Sequence, residues 1–365
     1  MTERGTNPDR RRVLGLGVAA AGLAMPAIAR ADEPIVWKMA AAWPKDTPGL
    51  SSNARRVADA IAAMSGGRLT IKVFAAGELV PADQVFDAVS AGTAEAGHSA
   101  SYYWQAKDRA FHFFTGVPFG LTGVEHAAWL YFGGGQALWE RAYQPFGVVP
   151  FFVGTPGPQA AGWFMQEVRT LDDLKGVKMR IAGLGAEIFR RLGVVVVPMT
   201  VPKIVDALKS GELTAAEWVG PWNDLALGLN RAAKFYYMPG FNEIGSAVEL
   251  IVNQNAWTAL PPDLKEIVRR AAMASATETT ADFTYHNITA LASLTDQGVQ
   301  IRSFPVAILQ AAAVESAAIL ADLATASPIA GEVHQSFMAY RERAAAYCRS
   351  ADLAALKMRE IALAG

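Results

Sequence analysis

The chain has 365 residues, with 33 Lys+Arg against 34 Asp+Glu, and 52% of it is hydrophobic while only 18% is charged. That apolar share excludes a disordered chain and supplies a sizeable core, and a formal net charge of −1 removes the electrostatic case for a nucleic-acid partner. A single cysteine, Cys348, excludes a disulfide framework, an iron–sulfur cluster and a cysteine-rich zinc site.

In chain order, the first signal is an address. Residues 9–14 read Asp9-Arg10-Arg11-Arg12-Val13-Leu14, and an apolar run continues to Ala29, with Pro26 near its end. The small-x-small sites Ala27-Ile28-Ala29 and Ala29-Arg30-Ala31 close it. A basic start, a short apolar middle and a small-residue cleavage site make a signal peptide, and paired arginines before the run suggest twin-arginine export. We expect residues 1–31 to be this signal and the remainder to work in the periplasm. The other reading of the run is an uncleaved membrane anchor, for which it is short and weakened by Gly and Pro.

Ile35–Ala40 then reads as a strand and Ser51–Met64 as a helix with Val57 and Ile61 on one face, stopped by Gly66-Gly67. Leu69–Phe74 alternates as a strand, and a helix from about Pro81 to Ala91 ends at Gly92. The rhythm returns with a strand at Val177–Ile181, a helix at Ala186–Leu192, a strand at Val194–Val197 and a helix at Pro202–Ser210. Between the two runs lies a Gly- and Pro-rich joint, Gly154 to Pro158. The pattern predicts an α/β protein of two lobes, each with a mostly parallel sheet under helical cover. The last third is helical. Pro262 to about Leu294 carries one long pattern, and Glu332–Ala364 contains no Pro or Gly. The second stretch is either an arm that reaches another subunit or two helices separated by a break.

Searches for catalytic signatures return little. His98, His112, His126, His286 and His334 are scattered, with no His-Glu-x-x-His, nucleophile elbow or Walker loop around them. Gly183-Leu184-Gly185-Ala186-Glu187-Ile188 falls short of a dinucleotide fingerprint, which needs glycine where Ile188 stands. It reads instead as a glycine turn at a helix start, able to present backbone N–H groups to an anion. What remains is a polar set without catalytic pairing: Arg180 at the end of the Lys178–Arg180 stretch of a strand, Glu217-Trp218 before Val219-Gly220-Pro221, Glu243 after an aromatic run, and the cluster Tyr102-Tyr103-Trp104. Arginine offers a planar fork for a carboxylate, and two glutamates with an amide and a carbonyl oxygen suit a hard cation. Singly, each has a blander reading: a surface arginine, a core tryptophan, solvated glutamates.

Together these residues carry a resemblance. Val73–Pro81 (VFAAGELVP), Asp87–His98 (DAVSAGTAEAGH), Gly116–Leu121 (GVPFGL), Leu171–Arg180 (LDDLKGVKMR) and Ala207–Pro221 (ALKSGELTAAEWVGP) stand in the order and spacing of one family. The chain resembles the extracytoplasmic solute-binding proteins of tripartite ATP-independent periplasmic (TRAP) transporters over essentially all of its length after the signal. Gly162–Phe164 and the aromatic-rich Phe235–Glu243 bring it closest to the branch that binds 2-oxo monocarboxylates such as pyruvate with a cation.

The resemblance implies a two-lobed periplasmic binding protein with long C-terminal helices, and no enzymatic activity. Lobe I would comprise residues 32–155 plus about 247–290, and lobe II residues 156–246 plus about 291–331, with 332–365 as a helical arm. It implies that Arg180 pairs with the ligand carboxylate and that Gln159 touches both ligand and cation. Glu217, Glu243 and the Trp218 carbonyl would complete the cation's oxygen ligands, the Trp218 ring would wall the pocket, and Tyr103 would contact the ligand. The implied cation is Na+, with Ca2+ as the alternative. The implied partners are a small monocarboxylate, the TRAP permease membrane subunits and a second copy in a homodimer. A 2-hydroxy acid such as lactate, bound with calcium, remains an alternative ligand, and an exported cofactor oxidoreductase remains the alternative from a different class.

Overall fold

Residues 33–364 are described by the computed structural model, and their strands form two sheets. The signal segment expected at 1–31 lies outside the described residues. The expected opening is present as β1 (Ile35–Ala41), α1 (Leu50–Met64), β2 (Leu69–Phe74), α2 (Val85–Ser90) and β3 (Ala96–Ser99). In α1 the residues Ala54, Val57, Ala58 and Ile61 are buried, the stripe that a 3.6-residue period turns toward a sheet. The helix expected from Pro81 begins as a 3-10 turn, Ala82–Gln84, before α2.

Three helices follow, α3 (Phe111–Thr115), α4 (Gly123–Phe132) and α5 (Gly135–Tyr143), and then β4 (Val148–Gly154). Phe114 stacks between Trp129 and Trp139, with ring centroids 6.0 and 5.3 Å away. Full burial of a Phe side chain contributes about 1.5–3 kcal/mol, so this aromatic layer fixes α4 and α5 over the first sheet.

The chain then crosses to the second sheet. Its elements are β5 (Gly162–Phe164), β6 (Lys178–Arg180), α6 (Gly183–Arg191), β7 (Val195–Val196), α7 (Ile204–Ser210), β8 (Ala215–Ala216), α8 (Pro221–Leu227) and β9 (Phe235–Tyr237). It returns for β10 (Val248–Asn253), α9 (Gln254–Ala259) and α10 (Pro262–Asp296), then adds β11 (Gln300–Arg302), α11 (Val306–Ala324), α12 (Pro328–Ser350) and α13 (Asp352–Ala364).

The sheet orders are β2-β1-β3-β10-β4 and β11-β9-β5-β8-β6-β7. Each is parallel but for a single strand. β10 runs antiparallel to β3 and β4, and β5 antiparallel to β8 and β9. These are the two strands the chain enters directly on crossing between sheets. Gly154 makes the first crossing possible: its φ is +138°, and a Cβ there would come within 2.8 Å of Thr279.

α10 runs unbroken for 35 residues and touches both halves. Its Thr279 lies against Gly154 at the end of β4, while its Phe283 and His286 pack on Trp222 of α8, with ring centroids 5.4 and 4.1 Å away. The limit expected near 290 therefore falls inside a shared helix. Of the two readings of Glu332–Ala364, the structure has two helices, broken at Ala351, with φ −117° and ψ −80°. α12 buries Ala330, Val333 and Phe337, whereas α13 buries none of its residues.

Candidate functional site in the cleft between the sheets

Every expected site residue sits just past a strand or in a crossing. Tyr103 follows β3, Gln159 lies between β4 and β5, Arg180 ends β6, Glu217 and Trp218 follow β8, and Glu243 lies between β9 and β10. In open α/β sheets the crevice beyond the carboxyl ends of the strands is where ligands bind.

Backbone bonds draw these segments together. Gln159 N donates to Glu243 O at 3.0 Å, Ala160 N to Val219 O at 3.0 Å, and Glu217 N to Arg180 O at 2.8 Å. The side chains then meet. Gln159 Nε2 donates to Glu243 Oε2 at 2.6 Å, and Ser246 Oγ donates to the same oxygen. Arg180 Nη1 donates to the Glu217 carbonyl at 2.6 Å and lies 3.3 Å from Glu217 Oε2, and its guanidinium sits 5.4 Å from the Trp218 ring centroid. Gln159, Arg180, Glu217, Trp218 and Glu243 are all buried, so the solvated reading of the two glutamates does not hold.

The electrostatics are strained in one direction. Burial pushes the Glu217 carboxyl well above its ordinary range, with Arg180 pulling it back and Glu243 adding to the rise. Burial likewise raises Glu243, against the Ser246 bond and Arg180. Tyr103 is pushed up to about 12 by burial, with Arg180 opposing and Glu243 assisting. The helix start read from Gly183-Leu184-Gly185 answers the same charge. Ala182 N lies 3.4 Å from Glu217 Oε2, and Gly183, at φ +62°, lies beside Glu243 Oε1. The anion at this N-terminus is thus the protein's own pair of carboxylates. Gln159 Oε1 is buried without any hydrogen-bond partner among the described residues.

A small cavity is lined by Tyr103, Gln159, Trp218 and Glu243. Arg180 and Glu217 are buried beside it rather than lining it. Trp43 and Ser246, which also line it, escaped the sequence reading of the site, and Tyr102 entered that reading only within the aromatic cluster, with no role assigned. Tyr102 packs edge-on against Tyr103 at a 4.8 Å centroid distance. For Ser246 the sequence offered only its place three residues after Glu243.

Two buried acids outside the cavity hold its walls. Glu249 on β10 accepts from Ser99, Ser101, Trp104 and Tyr143 at 2.6–2.8 Å, pinning the 3-10 turn Ser101–Trp104 that carries Tyr102 and Tyr103. Asp224 on α8 accepts from Trp163 Nε1 at 3.0 Å, Tyr236 Oη at 2.9 Å and Val219 N at 3.1 Å, fixing the segment after Trp218. Among the described residues no group of three His, Cys, Asp or Glu could hold a metal ion. A cation here depends on amide and carbonyl oxygens beside the two glutamates.

Comparison with known proteins matches this architecture. A Nostoc sp. protein named monocarboxylate 2-oxoacid-binding periplasmic protein is 42% identical over 317 residues, covering 87% of each chain. A TRAP periplasmic solute-binding protein from Colwellia psychrerythraea, solved with calcium and pyruvate, superposes with TM-score 0.86 at 35% identity, covering 89% of this chain and 99% of that one. Its counterpart from Pseudoalteromonas atlantica, solved with sodium and pyruvate, gives TM-score 0.85 at 35% identity, with the same coverage of 89% and 99%. The family model for DctP, bacterial extracellular solute-binding protein family 7, matches residues 39–326, and the chain belongs to that family.

Proposed function

We propose that the chain is a receptor, not an exported oxidoreductase, which captures a 2-oxo monocarboxylate of the pyruvate class together with a cation and delivers it to a TRAP permease in the membrane. The observation that carries this is the charge imbalance at the cleft: one guanidinium, Arg180, beside two buried carboxylates, Glu217 and Glu243. A ligand carboxylate would add a third negative charge. A bound cation offsets that repulsion, and the donor set fits one. Gln159 Oε1 has no partner among the described residues, and Glu217, Glu243 and the Trp218 carbonyl would add the oxygens that sodium or calcium takes. Relatives solved with pyruvate hold sodium in one case and calcium in another; we assign sodium first and calcium as the alternative.

Among the described residues Arg180 bonds the protein through Nε and Nη1, so that Nη2 would serve a ligand carboxylate reaching past the Trp218 ring from the cavity. In a water-poor cleft such charge-assisted bonds are about twice as strong as neutral ones. Tyr103 would contact the ligand from the lobe I side, and two lobes closing over a small anion would make the form that a permease recognises. We take lobe I as 32–155 with about 247–290, lobe II as 156–246 with about 291–331, and 332–365 as an arm; strand membership of the two sheets supports the first two. We also propose that the arm packs on a second copy of the chain, a reading supported by the exposed apolar residues of α13.

The test is a thermal-shift screen of 2-oxo and 2-hydroxy monocarboxylates, each with Na+ or Ca2+, since a ligand that binds only the folded state raises the midpoint. Pyruvate-class acids are expected to raise it. A rise with lactate alone transfers the site to 2-hydroxy acids, and no rise with any acid rejects the proposal.

A further inference from the structure

The β1–α1 loop gives the cavity Trp43 and the start of α1 gives it Leu50, and Trp43 is held by a long polar chain. Trp43 Nε1 donates to His98 Nδ1 at 2.6 Å. An indole N–H can only donate, so Nδ1 must accept, and the proton of the neutral imidazole sits on Nε2. Nε2 then donates to Asn53 Oδ1 at 2.7 Å, which leaves Asn53 Nδ2 to donate to Val153 O at 2.9 Å and Thr279 Oγ1 at 2.6 Å. Arg56 closes the chain, from Nη1 to Thr279 Oγ1 at 2.6 Å and from Nη2 to Asp282 at 2.8 Å.

Each donor and acceptor has one consistent role, and the chain runs from the cavity wall through α1 to the helix α10 that touches both sheets. Burial holds His98 down at about 3, so the imidazole keeps this tautomer at any working pH. A tryptophan that merely filled the core could satisfy its N–H on any nearby carbonyl. Here the ring is fixed in direction as well as place, with Tyr103 packed on it at a 5.9 Å centroid distance.

We infer that Trp43 is the wall that sets the length of the ligand's aliphatic tail, with His98 as its positioning residue. The inference rests on the proposed function and deepens it: the ligand class is a short, straight-chain 2-oxo monocarboxylate. A rigid indole ahead of the tail admits a methyl or ethyl group and excludes a longer chain. One methylene in an apolar pocket changes affinity by about 10–200-fold, which sets the scale of discrimination.

The experiment is calorimetric titration of pyruvate and 2-oxohexanoate, in the presence of sodium, into the wild-type chain and the variants Trp43→Ala, His98→Leu and His98→Gln. Wild type is expected to prefer pyruvate. In Trp43→Ala pyruvate weakens and 2-oxohexanoate strengthens, each by about tenfold. His98→Leu narrows the preference without abolishing binding, and His98→Gln, whose amide oxygen accepts from the indole, restores it. A merely structural role for His98 would lower the melting temperature but leave the ratio of the two affinities unchanged, and that result overturns its part. A folded Trp43→Ala chain with the wild-type ratio overturns the wall. Wild-type protein that binds neither acid refutes the function itself, a result distinct from either.

Discussion

Arg180 is the cationic side chain that ion-pairs within the cleft, to Glu217. Truncating it would leave Glu217 and Glu243 buried together without the cation that pairs with Glu217, and would remove the proposed partner of the ligand carboxylate. Loss of one side of a buried charge pair costs about 2–5 kcal/mol. Arg180→Ala is therefore expected to weaken pyruvate binding by that amount in calorimetry, and an unchanged dissociation constant contradicts the role.

Asp224 makes a pH prediction with a definite sign. Burial pushes its carboxyl from 3.8 up to about 6, against the pull of Trp163, Val219 and Tyr236. Between those values the folded chain holds a proton that the unfolded chain has released, so the contribution of this group to stability grows as pH falls through about 6 and is absent above it. The excess stability of wild type over Asp224→Asn should be larger at pH 5 than at pH 7.5 in thermal melts. A flat or reversed difference contradicts the buried acid's shift. Neither Asp224 nor Glu249 was legible in the sequence: Glu249's partners lie more than 100 residues away, Asp224 draws on Trp163 from 61 residues away, and an acid in an apolar stretch carries no local sign of what satisfies it.

At the scale of elements, legibility followed length. β1, α1 and β2 are long enough for periodicity to show, and their expected limits agree with the structure to within a residue. β5 has three residues and β8 two, and both owe their place to pairing across the sheet rather than to any pattern of their own. The strand expected at Val194–Val197 shrinks to Val195–Val196 because it forms the sheet's edge, where pairing is one-sided. The 3-10 turn Ser101–Trp104 is likewise a product of its surroundings: two of the four donors to Glu249, Ser101 and Trp104, belong to it, and a third, Ser99, ends the strand just before it. Glu249→Gln turns an acceptor-only group into one with an N–H₂ facing donors. It should cost about 1–3 kcal/mol of stability in denaturant unfolding. A neutral substitution would show that the turn is held by packing alone.

For the whole molecule, two expectations concern assembly and capture. In α13, Leu353, Leu356, Met358, Ile361 and Leu363 are 41–80% exposed, an apolar surface left open among the described residues. Sedimentation is expected to give a dimer that the double substitution Leu356→Glu, Ile361→Glu converts to a folded monomer. A wild-type monomer at all concentrations removes the arm's proposed role. The two-lobed plan itself was legible, from the repeated β-α rhythm and the Gly154–Pro158 joint. The sharing of α10 between the lobes was not, because helical periodicity says which face is apolar and not which two bodies that face joins.

The proposed capture rests on anion and cation entering one cleft together, and calorimetry of the purified chain with pyruvate tests that most directly. The titration is run in sodium buffer, in calcium buffer, and in a sodium-free buffer treated with chelator. Binding that is tight with one of the cations and at least tenfold weaker without either is the predicted result, since the loss of about 1.4 kcal/mol that tenfold represents is a small part of the repulsion among three carboxylates. Equal affinity in all three buffers would contradict the account.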